Sequence, residues 1–185
     1  MPDDVRWLDP LEMRAWRNFL ATQSRLLAHL DAELQAAEDI GISDYGVLVT
    51  LSEAPGQRLR MSELAERMLL SPSGLTRRVD SLARIGLVER ALCPEDRRGT
   101  FAVLTAAGRE RLHRAAPQHL RQVRRHFVDR LSREELQVLG DALHGVLQHL
   151  QGDGRHGGRP GGRRASGGTG PVNGEGPSLR PSAAM

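Results

Sequence analysis

The pattern of apolar and polar residues predicts a largely helical chain. Apolar side chains recur three and four positions apart from Trp16 to Leu34, which is the spacing of one helix face. Just upstream, the segment Asp9-Pro10-Leu11-Glu12 combines a capping residue, a first-turn proline and the acid of a capping box. These signals predict a long first helix over residues 10 to 38, ended by Gly41.

Three shorter helices are predicted next, each bounded by turn-forming residues. The first has Ser43 as its predicted cap and is broken by Ala54-Pro55-Gly56. The second covers Ser62 to Met68. The third begins at Ser71-Pro72, carries an apolar stripe at positions i, i+4 and i+7, and stops at Gly86.

After these helices the pattern changes to short apolar runs typical of strands. Residues 87–92 and 101–104 are predicted to pair as a β-hairpin, because the segment between them is polar and rich in turn residues. Thr105 is predicted to cap a helical stretch to about residue 130, kinked or divided at Pro117. Ser132 begins a capping box for a last helix with a leucine-rich stripe.

The segment from Gly152 onward differs in composition from the rest of the chain. It holds 11 of the 20 glycines and four of the ten prolines, so residues 152–185 are predicted to be disordered. Its five arginines against Asp153 and Glu175 account for the whole formal net charge of +3. Overall basicity is therefore no argument for nucleic-acid binding, and the tail is interpreted either as a DNA-backbone contact or as an inert linker.

Composition also indicates the cellular location of the protein and whether it can form a disulfide. No apolar run approaches the roughly 20 residues that span a membrane, and the first residues show no secretory signal. The single cysteine, Cys93, excludes an internal disulfide. These features predict a soluble cytoplasmic protein. Cys93 borders the predicted wing, and nothing in the sequence clearly lowers its pKa, although Arg90 and Arg97 are near; inert packing is the favoured interpretation and oxidant sensing the alternative.

The order helix, short turn, helix and hairpin is the winged helix-turn-helix pattern, in which the second helix of the pair enters the DNA major groove. In that helix, Ser71 and Ser73 are predicted to grip phosphate at the positive helix end. Thr76 and Arg77 lie one turn further in and are predicted to reach base edges, with a solvated helix face as the alternative. Arg78 is predicted to reach either backbone phosphate or an acidic neighbour.

The tip of the predicted hairpin carries Asp96, Arg97 and Arg98. A narrow minor groove attracts inserted arginine side chains, so Arg97 and Arg98 are predicted to contact DNA. Asp96 would be repelled by phosphate, and it is predicted to support the wing by holding an arginine in place. A solvated turn is the alternative interpretation.

Taken in order, these motifs resemble the MarR family of winged helix-turn-helix transcriptional regulators over about residues 10 to 150. The resemblance is carried by five stretches, of which the wing is the most specific: Ser62-Glu63-Leu64-Ala65-Glu66-Arg67, Ser71-Pro72-Ser73-Gly74-Leu75-Thr76-Arg77, Gly86-Leu87-Val88-Glu89-Arg90, Asp96-Arg97-Arg98, and Leu104-Thr105 with Gly108.

The resemblance implies a homodimer formed through the N- and C-terminal helices, bound to a pseudo-palindromic double-stranded DNA operator. It also implies a repressor released by a small aromatic or phenolic ligand held between the dimer helices and the winged domain. Trp16, His29 and Tyr45 are the candidate ligand-binding residues here.

The predicted fold class is mostly α with a small β-hairpin. The predicted domains are an N-terminal dimerisation helix (1–38), a winged helix-turn-helix domain (39–110), C-terminal dimerisation helices (111–151) and the tail (152–185). No cofactor is predicted. No metal site is predicted either, because no two histidines stand four residues apart on one helix face.

The predicted function is therefore a dimeric, sequence-specific transcriptional regulator, with no membrane partner. The alternative is an architectural DNA-binding protein without an effector, which the arginine-bearing tail motivates. The sequence has no glycine-rich phosphate loop, serine-nucleophile motif or paired metal ligands, so it does not indicate an enzyme. A winged domain that serves only as a protein-interaction surface is the remaining interpretation.

Overall fold

A computed structural model describes residues 5–93 and 96–153, without the side chains of residues 96–98 and 153. The chain divides into two units between Val138 and Leu139, and each is described by itself. The predicted domain boundaries remain predictions.

The described residues form six α-helices, three β-strands and two 3₁₀ turns, the latter at Pro55–Gln57 and Val128–Arg130. The helices and strands are α1 (Pro10–Glu38), α2 (Ile42–Ser52), β1 (Arg58–Arg60), α3 (Met61–Arg67), α4 (Pro72–Arg84), β2 (Val88–Cys93), β3 (Asp96–Leu104), α5 (Ala106–His126) and α6 (Arg133–Asp153). The mostly helical fold class is confirmed.

The start of α1 is set by the predicted capping box. Asp9 Oδ1 accepts hydrogen bonds from the backbone of Leu11 and Glu12 at 2.8 and 2.9 Å, and Glu12 Oε2 accepts one from the Asp9 N–H at 2.9 Å. Asp39, not Gly41, ends the helix, because it takes the left-handed conformation with φ 54°. The bounds of α1 are therefore confirmed, and its predicted terminator is wrong.

The start of α2 depends on a contact from outside the helix. Gly41 is the N-cap and offers no side chain, so the prediction of Ser43 as the cap is wrong. Instead, Asp31 of α1 accepts a hydrogen bond from the Ile42 N–H at 2.7 Å. A carboxylate at this end is also favoured by the helix dipole.

The sheet is antiparallel with the strand order β1-β3-β2. The predicted hairpin of β2 and β3 is confirmed, and β3 starts earlier than expected, at Asp96. β1 was not predicted. Its central residue, Leu59, pairs with Ala102 of β3, and both are buried on the inner side of the sheet.

The core lies between the inner face of the sheet and helices α2, α3 and α4, with part of α1 and α5 against it. Every buried side chain in the described residues is apolar, apart from the Tyr45 hydroxyl. The largest fully buried side chains are Leu34, Ile40, Leu48, Leu51, Leu64, Leu75, Leu82, Val47, Val79 and Val88. This packing holds one face of α4 against the core and leaves the opposite face of the helix at the surface.

Helix α5 starts at the predicted cap, where Thr105 Oγ1 accepts a hydrogen bond from the Gly108 N–H at 3.0 Å. Pro117 does not divide the helix, which continues to His126. Pro117 is exposed, so water can satisfy the backbone carbonyl that a proline leaves unpaired. The predicted capping box of α6 is confirmed, with Glu135 and Ser132 exchanging bonds at 2.8 and 3.2 Å.

The second unit contains the rest of α6, whose leucine-rich stripe is solvent-exposed in the single chain: Leu143, Val146, Leu147 and Leu150 are 40 to 62% exposed. The helix reaches Asp153, two residues into the predicted tail, and residues 154–185 lie outside the described part of the chain. Within the described residues, no helix combines the length and apolar character needed to cross a membrane.

Candidate nucleic-acid interface

Helix α4 presents one buried face and one polar face. Leu75, Val79 and Leu82 are 0 to 1% exposed and hold the helix against the core. Ser71 caps the helix by accepting a hydrogen bond from the Gly74 N–H at 3.1 Å, as predicted. Packing and cap together fix both the rotation and the starting point of the helix.

The turn before α4 is held by backbone geometry. Leu69 has φ 53°, a left-handed backbone conformation that residues other than glycine rarely take, and its side chain is 88% exposed. In this conformation the Leu70 N–H bonds to the Ala65 carbonyl at 3.0 Å, which closes the end of α3. The turn thereby sets the angle between α3 and α4.

The polar face of α4 brings together the predicted contacts Ser73, Thr76 and Arg77. Ser73 Oγ lies 3.4 Å from Ser71 Oγ at the start of the helix. Thr76 is partly exposed, and Arg77 is exposed in the next turn without an ion-pair or hydrogen-bond partner among the described residues. An arginine in this position is free to bond guanine in a groove.

Arg78, next in sequence, is in a different environment. Its Nη1 lies 2.9 Å from Asp44 Oδ1 of α2, with side chains 33% and 23% exposed. Its Nε is buried without a hydrogen-bond partner in the described chain. The structure therefore supports the acidic-neighbour alternative for Arg78, and contact with phosphate remains a prediction.

The wing is built from β2 and β3, with Cys93 opposite Asp96 next to the tip. The backbone of Asp96, Arg97 and Arg98 belongs to β3, while their side chains lie outside the described part of the structure. Their DNA contacts, and the support predicted for Asp96, stay predictions. Arg90 Nε of β2 lies 3.1 Å from Asp80 Oδ1, and this ion pair ties the wing to α4.

The outer face of the wing sheet carries a group of cationic and aromatic side chains. The guanidinium groups of Arg58 and Arg60 lie 5.1 and 5.6 Å from the Phe101 ring centre, within cation–π range. Arg60 Nη2 also donates to Cys93 Sγ at 3.2 Å. Cys93 is only 4% exposed, and such burial limits the access of an oxidant to its sulfur.

The junction between the wing and α5 explains the Leu-Thr and Gly motif. Thr105 Oγ1 donates to the carbonyls of Gly86 or Leu87, at 2.7 and 3.0 Å. Gly108 lies so close that an added Cβ would be 2.1 Å from the Leu87 oxygen. Only glycine at position 108 allows this close approach. The contact joins the segment that follows α4 to the start of α5.

The candidate ligand residues do not meet within one chain. Trp16 is half exposed and stacks on Phe19 at 6.2 Å. His29 stacks on His126 of α5 at 5.6 Å, and Tyr45 packs against His119 at 4.6 Å. Trp16 lies 13 residues before His29 on the same helix, which corresponds to about 20 Å.

A polar cluster between α1 and α5 was not predicted as a site. Glu33 lies 3.4 Å from His126 Nε2, and the Gln122 amide can donate to both Glu33 oxygens, at 3.0 and 3.2 Å, when its nitrogen is turned toward them. His119 Nδ1 is buried without a partner among the described residues, and burial lowers the pKa of His119. Burial, with the charge of Glu53 as a second cause, raises the pKa of Tyr45.

The same cluster borders a narrow recess between α1 and α5 that has no room for a water molecule. It is lined by Leu30, Glu33, Leu34, Gln118, His119 and Gln122. In the described ranges, no three His, Cys, Asp or Glu side chains are arranged to hold a metal ion.

Known proteins share this arrangement. A profile of the MarR family matches residues 38–99. The HTH-type transcriptional repressor YetL of Bacillus subtilis is 30% identical over 122 residues, which cover 64% of this chain and 72% of YetL. The chain belongs to the MarR family.

Two solved structures from Streptomyces coelicolor extend this comparison to the fold. AbsC, a MarR family transcriptional regulator, is 42% identical with a TM-score of 0.76, over 80% of this chain and 99% of AbsC. Sco3205, a MarR family regulator solved in complex with DNA, is 41% identical with a TM-score of 0.77, over 80% of this chain and 93% of Sco3205. This MarR-family chain therefore has the winged-helix fold of its relatives.

Some residues that shape the site in this MarR-family chain gave no local signal in the sequence. Asp44 is 34 positions from Arg78, and Glu33 is 93 positions from His126. The arginines of β1 could be placed against Phe101 only once β1 was known to pair with β3. For Gly108, the motif itself was noticed, while the backbone contact that requires it became visible only in the structure.

Proposed function

We propose that this chain is a sequence-specific DNA-binding transcriptional regulator that works as a homodimer. The observation that carries the proposal is the exposed Arg77, which has no partner among the described residues, on a helix whose opposite face is 0 to 1% exposed. A guanidinium held on such a rigid support can form paired hydrogen bonds with guanine O6 and N7. Ser71, Ser73 and Thr76 flank it, and Arg97 and Arg98 extend the contact from the wing.

The relatives support this proposal. Sco3205 was solved in complex with DNA, and YetL is named a transcriptional repressor. By analogy, this chain acts as a repressor on chromosomal DNA in the cytoplasm. Phosphate contacts set its register, and base contacts by α4 supply the selectivity.

The homodimer follows from apolar side chains that a single chain leaves exposed. On α1, Trp16, Phe19 and Leu20 are 41 to 51% exposed, and α6 carries the exposed stripe described above. Soluble proteins rarely leave such surfaces open unless a partner covers them. A two-fold dimer places two copies of α4 on a pseudo-palindromic operator, with half-sites about 34–36 Å apart.

A small aromatic or phenolic effector is the proposed release signal. The region of His29 and Tyr45, with His119 and Gln122 beside them, combines ring surfaces with polar atoms. Because the recess is too narrow for water, a ligand would have to separate α1 from α5. Such a movement would act on the winged domain through the α5 junction at Thr105. Trp16 would contribute only from the partner copy.

Fluorescence anisotropy tests the proposal. A labelled duplex from the gene's own upstream region is titrated with the full chain and compared with a scrambled duplex of equal length. Specific sites usually bind about 10³ to 10⁷ times more tightly than nonspecific DNA. Equal affinity for both duplexes would remove the proposed function.

A truncated chain without residues 152–185 distinguishes the proposed regulator from the alternative, an architectural DNA-binding protein. If the tail supplied the binding, its removal would abolish most of the affinity and reduce the salt dependence by several units. The proposed regulator would keep both its affinity and its preference for the upstream duplex.

A further inference from the structure

The two adjacent arginines of the recognition helix α4 have opposite roles in the structure. Arg77 is exposed and has no partner in the described part of the chain. Arg78 is held by Asp44 at 2.9 Å and is two-thirds buried. Of these two adjacent arginines, one is available for contact and the other is already neutralised.

The position of Asp44 is itself fixed. It lies in the first turn of α2, where the helix dipole favours a carboxylate. The α2 start is held by Asp31, and a Cβ at Gly41 would lie 3.0 Å from Asp31 Oδ1 and 3.8 Å from Asp44 Oδ2. Two carboxylates therefore border Gly41, and the Arg78 guanidinium offsets their repulsion.

The next acidic residue along α4 is not available to Arg78. Asp80, the acidic residue two positions later on α4, is already paired with Arg90 of β2 at 3.1 Å. Within the described residues, Asp44 is thus the carboxylate that holds Arg78. Without this carboxylate, the long Arg78 side chain is free to turn toward solvent, on a helix that approaches phosphates.

We propose that Asp44 is a specificity-determining positioning residue that keeps Arg78 away from the DNA backbone. A phosphate contact raises affinity for every sequence alike, so withholding one arginine favours base readout by Arg77 over nonspecific binding. The inference rests on the proposed function, because it presupposes that α4 reads DNA. It assigns to the pair a role in selectivity in addition to the joining of α2 and α4.

The test measures the salt dependence of binding to a scrambled duplex between about 50 and 200 mM salt. Asp44→Asn is expected to release Arg78 and to steepen the slope of log K against log salt by about 0.9, the value for one phosphate contact. Affinity for the scrambled duplex rises, and the ratio of upstream to scrambled affinity falls. Arg78→Ala is expected to leave the slope unchanged, and the double variant to return to the wild-type slope.

Two control variants separate this effect from simpler causes. Glu53→Gln removes one negative charge just past the far end of α2, where the described residues form no ion pair, and is expected to leave the slope unchanged. Asp44→Glu keeps the charge and is expected to keep the wild-type slope. The unfolding midpoint of each variant shows whether it is folded, and if Asp44→Asn is not, Arg78→Ala still decides.

Three results would overturn the inference. A slope reduced by about one unit in Arg78→Ala would mean that Arg78 contacts phosphate in the natural protein. An unchanged slope in folded Asp44→Asn, or a steeper slope that persists in the double variant, would make the pair merely structural. A wild-type chain without preference for the upstream duplex would instead remove the proposed function.

Discussion

The winged domain of this chain buries its large apolar side chains, whereas helices α1 and α6 leave many of theirs exposed. In the winged domain, Ser71 caps α4, and Leu75, Val79 and Leu82 are fully buried within one chain. On α1 and α6, large apolar side chains such as Phe19 and Leu147 are 46% and 47% exposed. Among the described residues, the winged domain buries its apolar face within one copy, whereas α1 and α6 leave apolar side chains exposed.

This difference separates two kinds of residue. Substitutions in the winged domain are expected to act on the folding of one chain or on its DNA contacts. Substitutions on the exposed stripes are expected to act on association between chains, because burying apolar surface there requires a second copy. The predictions below test this division.

The largest effect is expected at the wing junction. Gly108→Ala places a Cβ 2.1 Å from the Leu87 carbonyl oxygen and 2.7 Å from Leu104 Cδ1, so the backbone of the junction has to move. The free energy of unfolding is expected to fall by about 3 kcal/mol, measured by urea denaturation.

Gly145→Ala is the matched control, because an added Cβ at Gly145 meets nothing within 4 Å. By helical spacing this position lies opposite the leucine stripe of α6. The change is expected to raise stability by about 0.5–1 kcal/mol, since alanine favours a helix over glycine. Equal stability changes in both variants would contradict the close approach at Gly108.

The next effect is expected on association. Leu147→Glu puts a charge into the exposed stripe of α6. A two-fold dimer loses the apolar contact of Leu147 twice, at about 0.7–1.5 kcal/mol each because the side chain is 47% exposed in the single chain, and it also has to bury two charges. The dissociation constant of the dimer is expected to rise at least about 100-fold, measured by analytical ultracentrifugation. Gln148→Glu adds the same charge off the stripe and is expected to leave the dimer intact. A dimer unaffected by Leu147→Glu would place the interface elsewhere.

A smaller effect is expected at the reading face. Arg77→Ala removes the exposed guanidinium of α4 and is expected to cost about 1–3 kcal/mol of binding to the upstream duplex, with relaxed base preference. Arg84→Ala, in the last turn of the same helix, is the control and is expected to have little effect on preference. Selectivity that survives Arg77→Ala would refute the groove assignment, since folding does not depend on this exposed side chain.

Local sequence signals were enough to predict most helix starts. Asp9, Ser71, Thr105 and Ser132 each form the predicted cap, because a capping residue acts on N–H groups two or three positions away. The winged order of elements and the polar face of α4 followed from the same short-range patterns. Such features depend only on neighbours along the chain.

The features that were missed or wrong depend on distant partners. β1 has three residues, too few for a periodic signal, and exists through its pairing with β3. The cap of α2 is supplied by Asp31 from another helix, so Ser43 was the wrong choice. Likewise the partner of Arg78 could be expected to be acidic, but only the fold identifies it as Asp44.

The smallest effect is expected on the pH dependence of stability, through His119 of α5. Burial lowers the pKa of His119 from the usual 6.5, so its imidazole ring takes up a proton less readily in the folded chain than in the unfolded chain. The contribution of His119 to stability is therefore intact above about pH 6.5 and is lost as the pH falls through the lowered pKa. Unfolding midpoints measured in this window should fall more steeply for the natural protein than for His119→Gln, which carries no titrating ring. If His119→Gln shows the same pH dependence as the natural protein, the ring does not titrate differently in the folded chain. In that case the packing of His119 against Tyr45 would not isolate it from water.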